Sequence, residues 1–183
     1  MEAEQITTNV PAVRSTGSPF LDDLLKGLEA AVPGAVTEAR QGLDMPTLLT
    51  DVSSVVEVCR WLRDAPGYRY RLISDLTCVD YLDRAPRFEV VYHLYSFDLH
   101  AYIRVKTGVP EEPCECPTMT DVFIGANWLE REVWDMYGIQ FIGHPGLDRI
   151  LTPDGWDYFA LRRDFPLQGP GLIKLYDSVT DVF

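Results

Sequence analysis

Positive charge is scarce in this chain, and long apolar runs are missing. Lys and Arg number 16 against 28 Asp and Glu, a net charge of −12. No Lys/Arg run offsets that balance. An acidic chain repels phosphate backbones, so no nucleic-acid partner is expected. No stretch approaches the roughly 20 apolar residues that cross a bilayer as a helix. The opening "MEAEQITTNVPAVRSTGSP" has no apolar core, so it does not read as a signal peptide. Residues 1–17 are expected to form a flexible arm. These absences predict a cytoplasmic protein, or one that meets a membrane through a partner alone.

Cysteine is sparse as well. Cys59 and Cys78 fall in apolar periodic segments and read as buried thiols. Cys114 and Cys116 form one C-x-C with no histidine nearby. Zinc and iron–sulfur sites want about four ligands, usually in C-x₂-C pairs. The pair therefore reads as free thiols in a turn, with no metal. The chain also has no G-x-G-x-x-G after a strand, no Walker loop, no G-x-S-x-G and no H-E-x-x-H.

A well-patterned core former is present instead, with hydrophobic residues at 46%. Ser18 and Pro19 open a helix whose Leu21, Leu24, Leu25 and Leu28 make one stripe, and Pro33-Gly34 ends it. "MPTLLT" reads as a short strand. Asp51 is expected to cap a second helix carrying Val52, Val55, Val56, Cys59 and Leu62, stopped by Ala65 to Gly67. "YRLISDLTCVDYL" reads as a strand entering a loop. "FEVVYHLYS" and "HAYIRVKT" read as a hairpin turning at Ser96 to Leu99. Phe88, Val90, Tyr92 and Leu94 alternate with Glu89, Val91, His93 and Tyr95, so one sheet face is dry and the other mixed. Gly108 to Pro117 reads as a loop. The expected fold is α+β: N-terminal helices on a mostly antiparallel sheet, in two layers, over residues 18–142.

Residues 143–183 differ. Nine of these 41 residues are Gly or Pro, and no period is sustained. Large apolar residues are nevertheless frequent, from Ile150 and Leu151 through Trp156, Phe159 and Leu161 to Tyr176. A disordered tail is normally poor in them. The segment is expected to be extended and to bury side chains on another protein, in preference to wrapping its own domain.

Between these regions lies "LEREVWDMYGIQFIGHPGLDRIL", Leu129 to Leu151. Asn127 and Glu130 read as a capping box and Gly138 as a left-handed C-cap, giving a helix from Trp128 to Tyr137. Leu129, Val133, Met136 and Tyr137 share one face; Arg131, Glu132 and Asp135 lie opposite with Trp128. Arg131 and Asp135, four apart, are expected to pair. An acid/base or metal cluster of Glu130, Glu132, Asp135 and His144 is disfavoured, because Glu130 and Glu132 are about 200° apart on the helix and His144 lies beyond it. His144, before Pro145, reads as a hydrogen-bonded turn residue.

"NWLEREVWDMYGIQFIGHP", followed by "RIL" and "LRRDFPL", resembles the signature of one family of NADH-quinone oxidoreductase subunits. This is the C-type family, the 30-kilodalton-type hydrophilic subunit of respiratory complex I. The family's pattern is ERE, two residues, an acid, two apolar residues, six residues, then His or Lys. Glu130, Arg131, Glu132, Asp135, Met136, Tyr137 and His144 meet it. Four positions after the histidine the family usually has a basic residue or proline; Asp148 stands there, with Arg149 next. "ALRRDFPLQG", with Arg162, Arg163, Asp164 and Pro166, is similar to a second family block. Upstream, "SDLTCVDYL" and "FEVVYHLYS" also resemble the family, so the likeness runs from about Leu72 to Gly169 and, more weakly, over the N-terminal helices.

The resemblance implies a subunit with no catalysis of its own, enzymatic through its complex. It implies that the chain binds no cofactor, with flavin and iron–sulfur clusters in partner subunits. Its partners would be the quinone-site subunit (D type) and the terminal iron–sulfur subunit (B type), on the cytoplasmic side of the bacterial inner membrane. Membrane contact would come through the complex, which passes electrons from NADH to quinone and translocates protons. Glu130, Arg131, Glu132, Asp135, Gly138, His144, Pro145, Arg149, Arg162, Arg163, Asp164 and Pro166 would be signature and interface residues. Related subunits in membrane-bound hydrogenases and ferredoxin-linked photosynthetic complexes leave the electron donor open, and a stand-alone carboxylate enzyme is the remaining class.

Overall fold

The computed structural model describes residues 17–167. Helix α1 spans Pro19–Ala31, strands β1 and β2 span Val36–Gln41 and Pro46–Thr50, and helix α2 spans Val55–Asp64. Strands β3, β4 and β5 follow at Leu72–Asp80, Phe88–Ser96 and Ala101–Val109. Then come β6 (Glu115–Pro117), α3 (Ala126–Tyr137) and β7 (Gln140–Ile142). The main sheet has the order β1-β2-β5-β4-β3, antiparallel except at β2–β5; β6 and β7 pair in parallel as a second, two-stranded sheet. This is the α+β architecture the sequence predicts.

The dry face is the expected one. Phe88, Val90, Tyr92 and Leu94 are fully buried, and their partners on β5 include Ile103 and Val105. Leu21, Leu24 and Leu28 of α1, Val55, Val58, Cys59 and Leu62 of α2, and Ala126 and Val133 of α3 join the same core. Each large side chain so buried contributes roughly 1.5–3 kcal/mol. The opposite sheet face is mixed: Lys106 pairs with Glu89 at 2.7 Å and Arg104 with Asp44 at 3.0 Å.

Several local expectations are corrected. Asp51 does not cap α2. Its Oδ1 takes the N–H and hydroxyl of Ser53 in a tight turn, and the helix begins at Val55. The Gly108 to Pro117 loop is shorter than expected, because β5 runs to Val109 and β6 starts at Glu115. Cys116 therefore sits in a strand, buried, with Sγ 3.4 Å from the Tyr92 hydroxyl. Strand β1 is an addition to the expected elements. Its residues are mainly exposed, as befits a polar sheet edge with no apolar alternation to reveal it.

Candidate functional site

Helix α3 is the organising element. It starts at Ala126, with Gly125 rather than Asn127 at the N-cap, so the expected capping box does not form. Glu130 does not turn back on its own helix. It points inward, fully buried, and accepts hydrogen bonds from Thr118 Oγ1 at 2.6 Å and Met119 N–H at 2.5 Å. The C-terminal expectation holds: Gly138 has φ +80° and closes the helix. A Cβ there would also lie 2.5 Å from the Phe159 ring and 2.8 Å from Arg162 Nη2, so glycine is required by space as well as by backbone.

Asp135 is also fully buried, and its partner is not Arg131. Its Oδ2 accepts N–H bonds from Ile150, Leu151 and Thr152 at 3.0, 2.8 and 3.0 Å. Its Oδ1 accepts from the Thr152 hydroxyl and from Arg149 Nη1, the latter at 2.6 Å. Burial pushes this carboxyl up. The Thr152 hydroxyl and N–H, with the Leu151 and Ile150 N–H groups, outweigh burial and hold it well below the usual carboxylate range. Arg131 reaches the same segment from outside, donating to the Asp148 and Arg149 carbonyls at 3.0 and 3.3 Å while stacked over Trp128. That bond uses the Asp148 backbone, so it does not depend on which side chain stands at 148.

Two more contacts clamp the segment that follows. Arg149 lies over Trp134 and Phe159, and Arg162 over Phe159 and Phe88, so two guanidinium groups alternate with three rings. Arg162 Nε donates to the last α3 carbonyl, Tyr137 O, at 2.6 Å, and Leu161 N–H to Met136 O at 3.1 Å. These bonds satisfy carbonyls that a helix end otherwise leaves open. Farther along, Arg163 N–H donates to Asp80 Oδ2 at 2.9 Å, and Asp164 pairs with Arg87 at 3.0 Å. Arg87 is nearly buried and holds Asp80 through two parallel bonds at 3.0 and 2.9 Å. Asp80, Arg87, Thr152 and Phe159 carry no sequence signal for this role; they become visible once the chain has folded back.

His144 bridges the turn, with Nδ1 accepting from Gly146 N–H at 3.1 Å and Nε2 3.2 Å from Asn127 O. Glu132, Pro145, Asp148, Arg163, Asp164 and Pro166 are exposed. The stretch to residue 167 also presents apolar side chains outward: Leu151 is 62% exposed, Leu161 51%, Tyr158 40% and Leu167 fully. Its apolar companions Leu172, Ile173, Leu175 and Tyr176 lie outside the described residues.

The acid/base grouping of Glu130, Glu132, Asp135 and His144 is not brought together. One faces the core, one faces water, one grips the segment after α3, and the histidine serves a turn. An apolar concavity of about 370 Å³, walled by Val52, Pro110, Pro113, Pro117 and Ile142, holds none of them. Among the described residues no three His, Cys, Asp or Glu side chains are grouped as a metal site requires.

The fold and the site together define an α+β domain with an irregular extension clamped across its third helix. The family model for "Respiratory-chain NADH dehydrogenase, 30 Kd subunit" matches residues 48–171. A C-type subunit of NADH-quinone oxidoreductase from Rhodopseudomonas palustris (strain TIE-1) is 46% identical over 149 residues, covering 81% of this chain and 72% of that protein. The chain belongs to this family of complex I 30-kilodalton subunits. In the solved structure of a trypsin-resistant fragment of Nqo5, 32% identical with a TM-score of 0.56, the match covers 68% of this chain and 98% of that one. A chain of an archaeal membrane-bound sulfane sulfur reductase has the same fold at a TM-score of 0.68, with 20% identity, covering 90% of this chain and 94% of that one.

Proposed function

We propose that this chain is a structural subunit of the peripheral arm of a proton-translocating NADH:quinone oxidoreductase and has no active site of its own. The observation that carries this reading is the clamp. The signature residues Arg131, Asp135, Arg149 and Arg162 are engaged in ordering residues 148–164, and the ordered segment turns Leu151, Tyr158, Leu161 and Leu167 outward. A pre-ordered backbone with exposed apolar side chains lowers the entropy lost on docking. Its partners are the quinone-site subunit (D type) and the terminal iron–sulfur subunit (B type), with flavin and clusters in partner subunits. No described helix is long and apolar enough to cross a membrane. In this reading the chain sits on the cytoplasmic face of the bacterial inner membrane through the complex. The test is purification of the tagged full chain from native membranes with identification of every copurifying protein. The reading predicts both partner subunits together with an NADH- and flavin-binding subunit. Recovery of the chain alone would overturn it, and a hydrogenase or ferredoxin-linked partner set would reassign the donor.

A further inference from the structure

Glu130 and Asp135 lie on the same helix and are both fully buried, yet Asp135 meets a cation and Glu130 does not. Glu130 has two donors, Thr118 Oγ1 on its Oε2 and Met119 N–H on its Oε1. Among the described residues no Lys, Arg or His pairs with it. The titratable groups that face it are Tyr92 on β4 and Cys116 on β6. Burial keeps both protonated, with the phenol well above its ordinary value and the thiol pushed up to about 12. On β3, which also packs against α3, Asp75 is occupied with His93, Asp80 with Arg87, and burial raises the Cys78 thiol. Strand β7 brings no titratable side chain. On α3 itself Arg131 and Asp135 turn to the 148–152 segment and Glu132 faces water; Asp121 is exposed.

A pair of hydroxyls leads from Glu130 towards the surface. Thr118 Oγ1 lies 2.9 Å from Thr120 Oγ1, and either hydroxyl can donate. Thr118 is 8% exposed and Thr120 is half-buried. With the carboxylate ionised, Thr120 donates to Thr118 and Thr118 donates to Oε2. When a proton arrives from water at Thr120, the Thr120 proton passes to Thr118 and the Thr118 proton to Oε2. Each hydroxyl then donates in the reverse sense, and no heavy atom needs to move. The Met119 N–H bond to Oε1 survives in both states.

We propose that Glu130 is a reversible proton-binding site, loaded from solvent through the Thr120–Thr118 hydroxyl pair. Burial pushes its carboxyl up to about 7, against the two hydrogen bonds that favour ionisation. The folded chain therefore holds this proton up to neutral pH, whereas the unfolded chain releases it near 4.5. The native state binds more protons within that window, so this group makes stability fall as pH rises through it. The site stands independently of the assembly role above.

The test uses the full chain as wild type, E130Q and T118V. Infrared difference spectra between about pH 5 and about pH 8.5 are paired with urea unfolding across the same range. The wild type should show a buried protonated-carboxyl band that titrates with a midpoint near 7 and is missing in E130Q. Its folding constant should fall against that of E130Q by up to about tenfold per pH unit below that midpoint. T118V, which removes a bond to the ionised form, should move the midpoint upward. A wild-type spectrum without such a band, its persistence in E130Q, or an unmoved midpoint in T118V would overturn the assignment. If E130Q fails to fold, the wild-type and T118V midpoints still decide.

Discussion

Asp135 shows how much one side chain organises. It gathers three backbone N–H groups, a hydroxyl and a guanidinium from residues 149–152 onto a fully buried carboxylate. Asp135→Ala leaves the three N–H groups without that acceptor and removes the carboxylate from Arg149, and should cost about 3–5 kcal/mol, read as a lowered urea midpoint. The pH sign follows from the depressed pKa. The carboxylate stabilises above about pH 4, and that stability is lost as pH falls below it. The gap between wild type and Asp135→Ala should therefore narrow between about pH 5 and about pH 2; a constant gap would show that the charge is not what holds the segment. Nothing local in the sequence announces these partners. The helical period offers Arg131, four residues away, but folding supplies Arg149 and three N–H groups 15 to 17 residues on.

At the scale of elements, α1, β2 to β5 and α3 are legible because each carries its own period: leucines at helical spacing, or alternation that buries Phe88, Val90, Tyr92 and Leu94. Strand β1 is hidden by its polarity, and β6 and β7 by their three-residue length, too short for any period. The segment after α3 is legible as aperiodic and apolar. Its return across α3 is not, because the return rests on backbone N–H groups and on arginines stacked on distant rings. Those contacts make a separable prediction. Arg162→Ala removes the bond to Tyr137 O and the stacking on Phe88 and Phe159. Tryptic cleavage after Arg163 should speed up severalfold while the α+β core melts within a few degrees of wild type, since Phe88 is the one main-core side chain among the lost contacts. Equal cleavage rates would place the hold elsewhere, at Arg87 and Asp80.

For the whole molecule, the signature divides by side-chain direction. Arg162 is turned inward and serves the chain's own fold; the Arg163 side chain is exposed, and its backbone N–H alone is held. Leu161, next to Arg162, faces out at 51%. Charge reversal at Arg162 would therefore mix folding with docking, whereas changes at Leu161 and Arg163 isolate docking. The most direct measurement replaces the native subunit in membranes with the Leu161→Asp, Arg163→Glu chain and reads both its incorporation into the complex and NADH:quinone activity. A docking subunit predicts a folded chain with normal melting, incorporation reduced about tenfold, and activity falling in proportion, as loss of about 1.4 kcal/mol or more of binding requires. Full incorporation with full activity would contradict it.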